Sequence, residues 1–179
     1  SCTAFSMTTA DSKHLMGRNY DFKFDTSAMI VRCRPHGGFS SIAFAALDNI
    51  GANDPMGFGS RIACLTAPFI CLDGVNEKGV SIAVLTLDSE PTRQKTEGRP
   101  TIATSLVIRL VLDRADSTEA AVNLIRGYAM LASSGRDYHF FITDASGDSR
   151  VVEYDCDSPD RAMTVTRVEA TTNFYAMHE

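Results

Sequence analysis

The sequence predicts an α+β domain in which two helices pack on a largely antiparallel sheet. Three observations predict it. β-Rich runs fill the chain up to Leu87, two helical stretches follow between 101 and 129, and β-rich runs return from Tyr138 onward. Blocks of strands and helices, rather than strict alternation, favour antiparallel pairing with the helices grouped on a sheet. With 179 residues, 44% apolar and 22% charged, the chain can bury one sizeable core and is too apolar for global disorder. Residues 1–179 are read as a single domain without repeat, linker or low-complexity tract.

Thr3 to Thr9 partly alternates, Ala10-Asp11-Ser12-Lys13 reads as a turn, and His14 to Asn19 returns, so a hairpin opens the chain. Ala28 to Arg34 is a third strand, ended by Pro35 and Gly37-Gly38, and Ser41 to Leu47 a fourth. Residues 48–60 read as loop, Arg61 to Thr66 and Phe69 to Leu72 as short strands, and Asp73 to Gly79 as a tight turn. That turn launches Val80 to Leu87, β-rich enough to be buried on both faces. Residues 89–100 are polar loop. Thr101 to Arg114 reads as a buried helix. Asp116 followed by Glu119 resembles a capping box for a second helix, at 116–129, with Ala120, Ala121, Leu124 and Ile125 as its stripe. Tyr138 to Thr143, Ser149 to Tyr154, Ala162 to Val168 and Ala170 to Asn173 are the remaining strands. The chain ends in mid-element, which predicts that it is part of something longer.

A net charge of -5 with scattered Lys and Arg gives no footprint for nucleic acid or an anionic membrane. No apolar run reaches the roughly 18 residues of a span; 101–112 comes closest and Arg109 interrupts it. The five cysteines, Cys2, Cys33, Cys64, Cys71 and Cys156, form no CxxC pair and suit neither zinc nor a disulfide scaffold. Reduced thiols point weakly to the cytoplasm, with the periplasm or secretion as alternatives. His14, His36, His139 and His178 lack a Cys, Asp or Glu at ligand spacing, so no metal is assigned, and no cofactor is expected.

Chemistry centres on Cys2. A thiolate is a strong nucleophile, and an N-terminal cysteine can use its own α-amine as base without a histidine. A nearby cation would favour thiolate and a carboxylate would orient the amine. Gly17-Arg18-Asn19-Tyr20-Asp21 offers one of each on the strand paired with the first. Alone, Arg18 reads more simply as a surface residue, Asp21 as a turn residue and Asn173 as a strand-end residue. A Cys2–His139 dyad is the minor alternative.

Five features in order tip the balance: Cys2-Thr3, Gly17 to Asp21, Asp73-Gly74-Val75-Asn76-Glu77-Lys78-Gly79, Thr143-Asp144-Ala145-Ser146-Gly147 followed by Val151-Val152-Glu153, and Thr172-Asn173. Together they resemble the choloylglycine hydrolase and penicillin V acylase family. The resemblance implies an N-terminal-nucleophile αββα sandwich, incomplete at the C-terminus here, that cuts linear amide bonds of small N-acyl substrates such as bile-salt conjugates or penicillin V; homo-oligomerisation is left open. It makes Cys2 the nucleophile, its amine the base, Arg18 and Asp21 their supports, and Asn173 an oxyanion donor. It also gives the backbone N–H of Thr86 to the oxyanion. Bile-salt hydrolases commonly carry Asn there and penicillin V acylases Tyr, so Thr86 leaves the substrate open. Two departures stand out. Ser1 precedes Cys2 and blocks its amine, and the family is longer, with a further supporting arginine outside this sequence. Acyl transfer to an amine, a non-catalytic binding domain, and Ser1 as nucleophile are the competing readings.

Overall fold

The computed structural model describes residues 1–21, 23, 26–52 and 57–178. The opening hairpin forms as the alternation demands, β1 (Thr3–Thr8) against β2 (His14–Asn19), with Thr3 opposite Asn19 and Ala4 opposite Arg18. β3 (Ala28–Cys33) and β4 (Ser41–Ala46) follow, then a 3-10 turn at Leu47–Ile50. The stretch expected to hold two short strands instead forms α1 (Phe58–Ala63) and a 3-10 segment, Cys64–Phe69. Pro68 lies inside that segment, where it has no strand partner to deprive of an N–H. Part of the loop expected at 48–60, residues 53–56, lies outside the described residues.

The Asp73–Gly79 stretch is more than a turn. β5 (Asp73–Asn76) pairs with both β4 and β6 (Ser81–Leu87), and Glu77 to Gly79 make the tight connection, with Gly79 at φ 82°. Asn76 holds it: Oδ1 accepts from Lys78 N and Val80 N, both at 3.0 Å, while Nδ2 donates to Leu112 O at 3.1 Å and Ala115 O at 2.7 Å.

The helix expected at 101–114 starts later. β7 (Thr101–Ala103) pairs in parallel with β8 (Ala129–Leu131), and α2 runs Thr104–Arg114. Three residues after Pro100 stay extended because a tertiary partner supplies their hydrogen bonds. α3 (Thr118–Arg126) is capped by Ser117, whose Oγ accepts from Ala120 N at 3.0 Å, rather than by Asp116. Glu119 reaches out to Arg150 instead of back to the cap. Asp144 adds a second cap from afar, accepting from Thr118 N at 2.8 Å. β9 (Asp137–Thr143), β10 (Ser149–Tyr154), β11 (Met163–Arg167) and the short β12 (Ala170–Thr171) complete the strands, and a 3-10 turn spans Ala176–His178. Asn173 lies beyond β12 rather than in it.

Seven strands form one antiparallel sheet in the order β11-β10-β9-β6-β5-β4-β3, and β12-β1-β2 form a second. Strand alternation gives the large sheet two apolar faces. Ala43, Ile82, Phe140, Ile142 and Val152 meet Val107, Ile108, Val111, Ile125 and the rest of the helical layer. Ala83, Leu85, Phe141 and Val151 face the other way and meet Cys2 and Ala4 of the small sheet. The result is the α-β-β part of an αββα sandwich, with helices outside one sheet as expected. Beyond the small sheet the large one is uncovered: Ile30, Ile42, Phe44 and Val75 stay exposed on that side. A groove of about 970 Å³ runs between these strands and the open edge of β2.

Asn76→Ala would strand two buried carbonyls and two backbone donors. It is expected to cost about 2–4 kcal/mol, read as a lower denaturation midpoint with an unchanged slope.

Candidate active site

Cys2 is placed by the small sheet. Its backbone continues β1, so Cys2 and Ala4 share the inward face, and Cys2 is only 6% exposed. Its nitrogen donates to Asn173 Oδ1 at 2.6 Å, and the thiol is only three covalent bonds from that nitrogen. The other half of the amide, Asn173 Nδ2, donates to Thr86 O at 2.7 Å. The orientation of this amide is fixed by its partners, because a backbone N–H can only donate and a carbonyl can only accept. One of the two Nδ2 hydrogens remains for another acceptor.

Thr86 lies near the end of β6, past the last pair with β5. In an extended antiparallel strand the N–H and C=O of one residue point to the same side. Val84 shows which side: its N–H donates to Leu72 O and its C=O accepts from Arg18. Thr86, two residues on, turns the same way, and its C=O meets Asn173. Its N–H therefore also points to the edge where Asn173 and Cys2 lie.

Asp21 follows β2. Its carboxylate takes the Ser1 amino nitrogen at 2.9 Å, and its carbonyl lies 4.0 Å from Cys2 Sγ. The hydrogen bond it donates to the Asp21 carboxylate raises the basicity of that amine. Ser1 thus presents its own amine to Asp21, rather than the carbonyl that blocking of Cys2 leads one to expect there. Ser1 Oγ reaches Asn173 Oδ1 at 3.2 Å.

Arg18 takes a different partner from the one the sequence suggests. It sits opposite Ala4, points between the sheets, and forms an ion pair with Asp73 at 2.6 Å while donating to Val84 O at 2.8 Å. Its guanidinium stacks 4.9 Å from the Tyr20 ring centre, and its buried Nε has no hydrogen-bond partner among the described residues. Burial pushes the Asp73 carboxyl up from its ordinary value, and Arg18 partly opposes this. The Asp73-Gly74 start of the turn motif is therefore tied to the site through Arg18. The large groove is lined by Arg18, Tyr20 and Asp21 but not by Cys2; it follows the uncovered sheet and is not a pocket over the thiol.

The Cys2–His139 dyad does not form. Both ring nitrogens of His139 are engaged elsewhere, with Glu153 Oε1 and Thr172 O, each at 2.7 Å. Sequence reading passed over this pair, although the hairpin turn between 143 and 149 sets its register: Val152 faces Phe140, so Glu153 faces His139. At the surface, ligand atoms of Cys156, Asp157 and His178 come within 4.8 Å of one another, a grouping that sequence spacing did not suggest. No helix among the described residues is long and apolar enough to cross a membrane.

Solved structures share this architecture. A mutant of conjugated bile acid hydrolase from Clostridium perfringens superimposes with a TM-score of 0.70 at 19% identity, covering 99% of this chain and 55% of the other. Penicillin V acylase from Agrobacterium tumefaciens gives 0.68 at 19% identity, covering 99% and 54%. The chain thus spans just over half the length of these structures, and the likeness establishes the N-terminal-nucleophile fold. Residues 2–169 match the family described as linear amide C–N hydrolases, choloylglycine hydrolase family. By that match over nearly its whole length, the chain belongs to the choloylglycine hydrolase family of linear amide C–N hydrolases.

Proposed function

We propose that the full-length protein hydrolyses the amide of a small N-acyl substrate, with Cys2 as nucleophile. The observation that carries this reading is the Asn173 carboxamide, which joins the Cys2 nitrogen to the Thr86 carbonyl and keeps one N–H in hand. Once Ser1 is removed, the Cys2 nitrogen is an amine. It takes the thiol proton as sulfur attacks the substrate carbonyl. The oxyanion receives the spare Asn173 N–H and the Thr86 N–H, donors of a kind typically worth about 3–4 kcal/mol each. The C–N bond breaks, the leaving amine takes the proton from the Cys2 amine, and a thioester remains. Water, deprotonated by the same amine, attacks the thioester and releases the acid and the thiol.

Asp21 would then hold the Cys2 ammonium as it now holds that of Ser1. Arg18, held by Asp73 and the Val84 carbonyl, takes the supporting role that the family resemblance gives it. The substrate is a conjugated bile acid or a penicillin V-like amide, the two classes named for the similar structures. Thr86 enters through its backbone and does not choose between them.

Cys2→Ser is expected to reduce turnover of N-acyl substrates by at least about 10³-fold; a full-length, Ser1-free Cys2→Ser enzyme of wild-type activity would remove Cys2 from the reaction. Peptide mapping after brief iodoacetamide treatment near neutral pH should find Cys2 labelled before Cys33, Cys64, Cys71 and Cys156. Cys71 should be slowest, since burial pushes its thiol up to about 11; its labelling should gain speed only as the pH climbs toward that value. Equal, slow labelling of all five would favour a binding domain that keeps the fold.

Ser1 tests the base. A peptide-bonded Cys2 nitrogen is not basic, so full-length protein retaining Ser1 is expected to be about 10²–10⁴-fold slower than protein without it. Ser1→Ala, retained, should be equally slow. If the Ser1-bearing form is as fast as the trimmed form and the Ser1→Ala form is dead, Ser1 is the nucleophile, the reading that its free amine and its contact with Asn173 would then support.

A further inference from the structure

The inter-sheet face of the large sheet is apolar at Ala83, Leu85, Phe141 and Val151, yet His139 and Glu153 on the same face are polar. Leu85 pairs with His139, and His139 lies opposite Glu153. Both polar side chains are 0% exposed. Burying such a pair costs desolvation that two apolar residues of the same size would avoid. What the pair supplies instead is direction. Thr172 O is an acceptor only, so His139 Nε2 donates to it, at 2.7 Å. Nδ1 shares one hydrogen bond with Glu153 Oε1. The carboxylate in turn accepts from Ala176 N at 2.6 Å and Met177 N at 3.1 Å.

Three of these contacts, to Thr172 O, Ala176 N and Met177 N, fall on the two sides of Asn173. The residue before it hangs on His139, and the turn after it hangs on Glu153. Tyr175 adds an outer tie, its hydroxyl donating to Asp137 Oδ2 at 3.0 Å. We propose that His139 and Glu153 are positioning residues that set the Asn173 carboxamide against Cys2 and Thr86, an inference that rests on the oxyanion role assigned to Asn173 above. Neither touches substrate. Each acts on the Asn173 backbone, and a displacement of about 1 Å at a reacting centre can cost about 10²-fold in rate.

The test is a double-mutant cycle in full-length, Ser1-free enzyme, with penicillin V and glycine-conjugated bile acid as probes, following whichever is turned over. His139→Asn keeps a partner for Glu153 but is too short for Thr172; His139→Gln can extend an N–H to it. His139→Asn is expected to lower kcat about 10–100-fold with KM within about 3-fold, and His139→Gln to recover at least about 5-fold of that loss. Asn173→Ala combined with His139→Asn should be within about 2-fold of Asn173→Ala alone, because the second change acts through a group already gone. Independent, multiplying losses would overturn the proposal, as would a change in KM alone or a Gln variant no better than Asn. If His139→Asn does not fold, Glu153→Gln enters the same cycle with the same expectation. Should Asn173→Ala alone keep full activity, the oxyanion reading fails and this inference with it; a slow Asn173→Ala with multiplying losses sinks only the positioning role.

Discussion

The Asn173 carboxamide is the constraint on which the candidate site depends. It bonds the Cys2 nitrogen at the start of the small sheet and the Thr86 carbonyl in the large sheet, at 2.6 and 2.7 Å. A planar amide with one acceptor end and one donor end can satisfy both only in one orientation. The inter-sheet packing of Cys2 and Ala4 on Ala83, Leu85 and Phe141 brings the layers together without specifying their register to tenths of an ångström. The amide supplies that register, at the edge where the thiol lies.

Much of this was legible in the sequence where local signals and tertiary demands agree. The opening hairpin, the central Ser81–Leu87 strand and the Ser149–Tyr154 return strand follow from alternation and turn residues. Reading failed where a distant partner decides the conformation. Thr101–Ala103 looks like the first turn of a helix, and becomes strand because Ala129–Leu131 offers a ladder. Arg61 to Thr66 looks extended, and becomes helical because neither edge of the large sheet takes it in. The cap moved from Asp116 to Ser117 once Asp144 also claimed the first turn of α3.

The site shows the same division. Cys2, Asp21, Thr86 and Asn173, picked from motifs, lie in one neighbourhood linked by direct contacts. Arg18 was picked for a nearby thiol, and its contacts go to Asp73 and Val84. Charge sign alone can name a cation but not the acceptors it will choose. His139 was weighed as a base and turns out to be saturated by Glu153 and Thr172. Its partner could be counted from the Gly147 turn, so the information was present as hairpin register rather than as a motif.

The Arg18–Asp73 pair has a consequence for how the sequence can change. The two side chains are 8% and 14% exposed and meet between the sheets. Losing either alone leaves a buried charge uncompensated, a change that typically costs about 3–5 kcal/mol. Both can be replaced together by apolar groups at far smaller cost in stability. Drift at one position is therefore conditional on the other, although they lie on different sheets and far apart in the chain. Across related chains the two positions should covary as a unit, and a hybrid that takes β2 from one ancestor and β5 from another should lose stability whenever the halves of the pair do not match.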